Sequence, residues 1–188
     1  PKILNETNRT FFDYAGAAGG RLSALAYPYC LGRTFWKLEK DQGQYDQPTK
    51  IDWASGACLA IRSETFWQHG GFESKFFAHM EEIDLCWRIR RSSGTLISAP
   101  KSVVYHLGGG TLAMGSAQKL KLNIRNGAWM MRRNRLNMFA LALRVLLDFG
   151  LAVAMLLKAK PSHALAVCRG IVSGYFGAYP KIMSRKEV

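Results

Sequence analysis

With 188 residues and 48% hydrophobic content, the chain can bury a real core and is too apolar to be disordered. Its formal net charge of +13 is unevenly placed: residues 1–118 set 13 Lys and Arg against 11 Asp and Glu, whereas residues 119–188 set 13 against 2. A nearly neutral front and a basic, apolar back direct the back part toward a polyanionic surface, membrane or nucleic acid. Cys30, Cys58, Cys86 and Cys168 are scattered with no C-x-x-C pair. That pattern argues against zinc knuckles and a disulfide framework and suits a reducing compartment.

No signal peptide opens the chain, and Pro1-Lys-Ile-Leu reads as mid-domain sequence, so a fragment is expected. Residues 11–20 run from aromatics into small residues, which lets backbone approach a ligand or another strand closely. Residues 28–50, with Pro28, Gly32, Gly43 and Pro48, read as a long loop. Residues 51–62 predict a buried strand broken at Ser55-Gly56. Ser63 is then expected to cap a short helix that Gly70-Gly71 ends, with Phe72 turning back into the core.

The next stretch, Phe76-Phe-Ala-His-Met-Glu-Glu-Ile-Asp-Leu-Cys-Trp-Arg-Ile-Arg-Arg91, packs Glu81, Glu82 and Asp84 into four positions. Ile83 with Trp87, and Leu85 with Ile89, mark a helix from Glu81 that Gly94 stops. Acids in a first turn meet unpaired amides and the positive end of the helix dipole, which explains one acid well. Three so close repel one another unless a proton transfer or a metal uses them.

Two short β-rich runs, Thr95–Ala99 and Ser102–His106, are split by Pro100. The second ends in His106 and Leu107-Gly-Gly-Gly-Thr111, a histidine at the mouth of a glycine loop that could cradle phosphate through its amides. From Ser116 the pattern turns helical. Residues 117–135 place Leu120, Ile124, Ala128 and Met131 on one face, and residues 137–157 are apolar except for Arg144 and Asp148. That run is long enough to span a bilayer, but an Arg–Asp pair four apart costs less at a surface, so helices lying in the membrane interface are expected. A third helix follows over about 162–179.

The succession Ala54-Ser-Gly-Ala-Cys-Leu-Ala-Ile-Arg62, Gly70-Gly-Phe72, Phe76-Phe77, Glu81-Glu-Ile-Asp-Leu-Cys-Trp-Arg88 and Val104-Tyr-His-Leu-Gly-Gly-Gly-Thr111 closely resembles the C-terminal half of bacterial family 2 glycosyltransferases. It is most similar to their rhamnosyltransferase-like branch, over roughly residues 10–135. The resemblance implies an α/β fold: the C-terminal part of a GT-A nucleotide-sugar transferase domain, with a partial mixed sheet, over 1–115. A basic, membrane-associated set of amphipathic helices over 116–188 would follow it.

It further implies an inverting transfer of sugar from a nucleotide-sugar donor to a hydroxyl of a glycan or lipid-linked acceptor in surface polysaccharide synthesis. A divalent cation (Mg²⁺ or Mn²⁺) would assist, at the cytoplasmic face of the bacterial inner membrane. The family's acidic motif usually reads Glu-Asp-x-Asp, and carried over by position the general base is Glu82, a Glu where Asp is commoner. Glu81 and Asp84 would complete the catalytic acids, with Asp84 orienting the site and pairing with Arg88. His106 would be the metal ligand, while Trp53, Ser55, Gly56, Arg88, Gly109 and Gly110 would line the substrate side.

The family's N-terminal Asp-x-Asp has no match here, since Asp41 and Asp46 are spaced wrongly. The 188 residues alone are therefore expected to be inactive. The alternative is a non-catalytic basic module that binds membrane surfaces; with no nucleic-acid motif and no aromatics among the basic residues, nucleic acid is the weaker partner.

Overall fold

The computed structural model describes residues 1–14, 17–34, 37–107, 113 and 115–182. The fold is mixed α/β, with small sheets and several helices. Chain contacts divide it into two compact units: Pro1–Ser23, Tyr27–Gly71 and Glu82–Gly110 form the first, and Ala24–Ala26, Phe72–Glu81 and Thr111–Val188 the second. In chain order the first holds strands β1 (Lys2–Asn5), β2 (Gly20–Leu22), β3 (Pro28–Cys30), β4 (Arg33–Thr34) and β5 (Lys37–Leu38). Helix α1 (Ser63–Gln68), all but the first residue of α2 (Glu81–Arg91) and strand β6 (Val103–His106) complete it. The second unit holds α3 (Ala117–Arg133), α4 (Met138–Leu157) and α5 (Pro161–Ile171).

β1 and β6 pair in parallel, in a register that sets Asn5 beside His106. β2 pairs antiparallel with β3, and β4 with β5, so the loop expected over 28–50 begins instead as short strands. The cause is long-range: Cys30 pairs with Gly20, and Leu31 N–H bonds the Gly19 carbonyl at 2.9 Å. Gly20 has no Cβ for a direct reason: one placed there would sit 1.8 Å from the Trp53 indole.

The strand expected over 51–62 does not form. Ile51 and Trp53 are buried and Trp53 bridges Gly20, but the chain then turns. Ser55 Oγ accepts the Ala57 N–H at 3.2 Å, and the Ser55 carbonyl accepts the Cys58 N–H at 3.1 Å, a local capture that competes with any ladder. At α1 the cap position falls to Arg62 rather than Ser63, with no side-chain cap. Gly70 and Gly71, at φ +73° and +58°, end the helix as expected, yet Phe72 stays exposed. α2 buries Ile83, Leu85, Cys86 and Ile89, and burial pushes the Cys86 thiol up to about 11. A cleft of about 490 Å³ lies between Leu85, Cys86 and Ile89 and Ile51, Cys58 and Leu59; Ser55 lines it, but neither Glu82 nor His106 does.

In the second unit Ser116 caps α3 and Asn137 caps α4, each side-chain oxygen accepting a first-turn N–H, and Pro161 starts α5. α5 runs into a π-turn, Val172–Phe176, and packs against both α3 and α4. Ile124, Ala128, Ala152, Val167, Ile171 and Tyr175 form the core. Close approach is possible because Gly174 stands where a Cβ would meet the Arg125 backbone at 2.9 Å.

α4 is inverted relative to an ordinary amphipathic helix. Ala140, Arg144, Asp148 and Ala152, one residue per turn, are buried. The other side carries Phe139, Leu146, Phe149, Val153 and Leu157, all exposed. The Arg144–Asp148 pair expected at a surface is thus buried, at 3.6 Å, because the interior supplies its partners. Tyr175 Oη donates to Asp148 at 2.6 Å, and Arg144 donates to the Leu25 carbonyl at 2.8 Å. By length and composition α4 could cross a membrane, with a mean hydropathy of 2.1.

Candidate functional site

The acidic motif is built where a strained loop enters α2. A 3₁₀ turn, Ser74–Phe76, is capped by Glu73 and followed by Phe77, His79 and Met80, all in left-handed backbone at φ +66°, +69° and +76°. Phe77, at φ 66° and ψ −56°, closes a γ-turn of the rare positive-φ kind, Ala78 N–H to the Phe76 carbonyl at 2.8 Å. Each such non-glycine residue costs about 1–2 kcal/mol, so the loop persists only if its surroundings hold it.

α3 supplies the hold. The Asn126 amide, fully buried, donates to the carbonyls of Phe76 at 3.0 Å, Ala78 at 2.8 Å and His79 at 2.8 Å. Arg125 donates to the Phe76 carbonyl at 3.0 Å and, through Nε, to Asn126 Oδ1 at 2.9 Å. Burial, aided by nearby Lys119, lowers the His79 pKa and favours its neutral imidazole. His79 Nε2 and Glu81 Oε2 are buried atoms without a hydrogen-bond partner among the described residues.

One turn on, the Glu82 stem runs beside Gly56: a Cβ on Gly56 would lie 3.9 Å from Glu82 Cγ and 4.0 Å from its carboxyl carbon. Two predicted site residues 26 positions apart therefore meet. Asp84 is fully buried and accepts from Arg88 Nε at 2.9 Å, the expected pair one turn apart. The Arg88 guanidinium reaches further, donating to the carbonyls of His69 and Gly71, so Asp84 and Arg88 tie α2 to the turn that ends α1. Ser55 is buried in its own turn. Trp53 is also buried, its ring against Gly20 and its Nε1 donating to the Arg21 carbonyl at 3.1 Å. Gly109 and Gly110 lie outside the described residues.

His106, at the end of β6, is half-buried and has a partner the sequence does not announce. A bridge between Leu4 and Phe12 brings Asp13 alongside β1, and buried Asp13 Oδ1 meets His106 Nδ1 at 2.8 Å. Asn5 also donates to Asp13, at 3.4 Å. The bond engages Nδ1, so the Asp13 carboxylate orients the ring through that nitrogen. Among the described residues no group of three or more His, Cys, Asp or Glu side chains could hold a metal ion. Asp13, a lone acid in an apolar run, and Asn126, a lone amide on the buried face of α3, are the residues sequence patterns pass over.

Comparison with known proteins agrees with part of this picture. No family model matches the chain, and no solved structure matches it. Over 56 residues, 30% of this chain and 18% of the relative, it is 36% identical to N-acetylglucosaminyl-diphospho-decaprenol L-rhamnosyltransferase of Mycobacterium tuberculosis (strains CDC 1551 / Oshkosh and ATCC 25618 / H37Rv). Over 104 residues, 55% of this chain and 39% of the relative, it is 26% identical to Rhamnosyltransferase WbbL of Escherichia coli (strain K12). The matches cover less than two fifths of either relative's length. The chain is thus similar in part to rhamnosyltransferases, and that similarity supports a glycosyltransferase function.

Proposed function

We propose that the chain carries the acceptor side of an inverting GT-A glycosyltransferase that moves a sugar, rhamnose by analogy with its relatives, from a nucleotide donor to a hydroxyl of a glycan or lipid-linked acceptor. The observation that carries this reading is the meeting of Glu82 with Gly56, in a chain partly similar to rhamnosyltransferases. An alcohol is a weak nucleophile at neutral pH, and a positioned carboxylate makes it adequate. As the acceptor oxygen bonds to the anomeric carbon, Glu82 takes its proton, and the bond from that carbon to the nucleoside diphosphate breaks on the opposite side. Gly56 lets its backbone lie against the Glu82 stem, with no side chain of its own between them. Asp84 and Arg88 position rather than react, since both are buried and bonded to each other.

The residues fit a divalent cation in part. His106, oriented by Asp13, would supply one imidazole; the remaining ligands are not gathered among the described residues. When bound, such a cation neutralises charge on the leaving diphosphate. Direct displacement predicts a product of inverted anomeric configuration, read by NMR of the anomeric proton in the product of the full-length protein. Retention would refute the single-displacement route.

A lipid-linked acceptor places the work at a membrane, here the cytoplasmic face of the bacterial inner membrane, and the inverted α4 supports that. Its apolar side would lie in the interface, with exposed Arg135, Lys158, Lys160 and Lys181 for anionic headgroups. The full-length protein is expected to float with vesicles containing anionic lipid, and Leu146→Glu combined with Phe149→Glu to reduce the bound fraction severalfold. Undiminished flotation of that variant would remove α4 from the membrane contact.

A further inference from the structure

The acidic motif is held from outside its own helix. We propose that Asn126, braced by Arg125, is a positioning residue for sugar transfer: it fixes the left-handed loop Phe77–Met80, which leads directly into Glu81 of the acidic motif. This rests on the transferase reading and adds to it a residue that touches neither substrate.

Three observations converge. Three of the four residues Phe77–Met80 have positive φ without being glycine, an arrangement the loop would leave if released. Every carbonyl that Asn126 reaches belongs to that loop or the residue entering it. Its two N–H bonds are shared among three carbonyls, and its oxygen is occupied by Arg125, so the amide has donors toward the loop and an acceptor toward its brace. A purely apolar core position would favour Leu or Met, as its neighbours Leu122 and Met130 on the same helix face show. A buried amide whose donors all go to one strained loop specifies that loop's conformation.

Asn126→Asp is the sharpest probe, because it keeps the shape and replaces the donating amide with a group that repels carbonyls when ionised. In the full-length protein it is expected to lower kcat about 10–100-fold, as small misplacements of a reacting group do, and to leave the donor KM near its wild-type value. Hydrogen exchange at the amides of Phe77–Glu81 should accelerate in parallel. A second substitution separates positioning from simple loss of folding. Phe77 is 74% exposed, so Phe77→Gly removes no core packing and relieves the left-handed strain. Added to Asn126→Asp, it should recover part of the lost kcat and slow the exchange again.

Unchanged kcat and exchange in Asn126→Asp overturns the proposal, as does a loss of kcat that Phe77→Gly leaves untouched. If the wild-type protein transfers no sugar, the transferase reading fails and the positioning role in transfer fails with it. If the wild type is active and Asn126→Asp behaves like it, only the positioning role fails.

Discussion

Glu82→Gln in the full-length protein is expected to lower kcat for sugar transfer by about 10²–10⁴-fold, the range a positioned general base contributes. Gln preserves the length and most of the hydrogen bonding of Glu and removes only the capacity to take a proton. The competing account is an acid placed at a helix start to complement the dipole, and there the same change costs only about 0.3–1 kcal/mol of stability and nothing in rate. The two accounts thus differ by orders of magnitude in one quantity and hardly at all in the other. Thermal unfolding run beside the kinetics separates them, and a variant within threefold of wild type in kcat leaves Glu82 a structural acid.

The largest expected effect on stability lies at Arg144. Its substitution by Ala leaves the Asp148 carboxylate buried with the Tyr175 hydroxyl, bonded at 2.6 Å, and no guanidinium. Breaking a buried ion pair from one side costs about 3–5 kcal/mol, because the stranded charge keeps its desolvation penalty. Replacing both members, Arg144→Met with Asp148→Leu, should recover most of that loss, since the costly charge is gone. Urea denaturation of the two variants beside the wild type reads this directly. A double variant no more stable than Arg144→Ala would show that the pair contributes through something other than its charges.

How far the sequence discloses this molecule depends on the range of the interaction. The glycine stop after α1 and the helical periodicity of α2, α3 and α4 rest on residues a few positions apart, and all are legible. The strand expected over 51–62 fails on an equally local device, the Ser55 hydroxyl turning on the Ala57 amide, which apolar periodicity does not register. Within 28–38, β3 depends on pairing with residues upstream, as Cys30 does with Gly20, while β4 and β5 pair with each other.

The same holds for the site. Glu82, Asp84 and Arg88 are conspicuous because their charges cluster, and the Asp84–Arg88 pair follows from helical spacing. Asp13 meets His106 across 93 positions, and Asn126 reaches the loop across 47 to 50. Neither carries a local sign beyond being polar in apolar company. Arg144 and Asp148 mislead for the opposite reason: charges in an apolar run suggest a surface, yet Leu25 and Tyr175 give them partners inside.

The claim on which the account turns is that the Glu82 carboxylate accepts the proton of the acceptor hydroxyl. It meets its most direct test in the pH dependence of kcat/KM for the full-length protein and its Glu82→Gln variant, measured side by side. The account predicts a wild-type rate that falls on the acid side as one carboxylate protonates, and a variant whose small residual rate is level across that limb. The same acid limb in both proteins would contradict it.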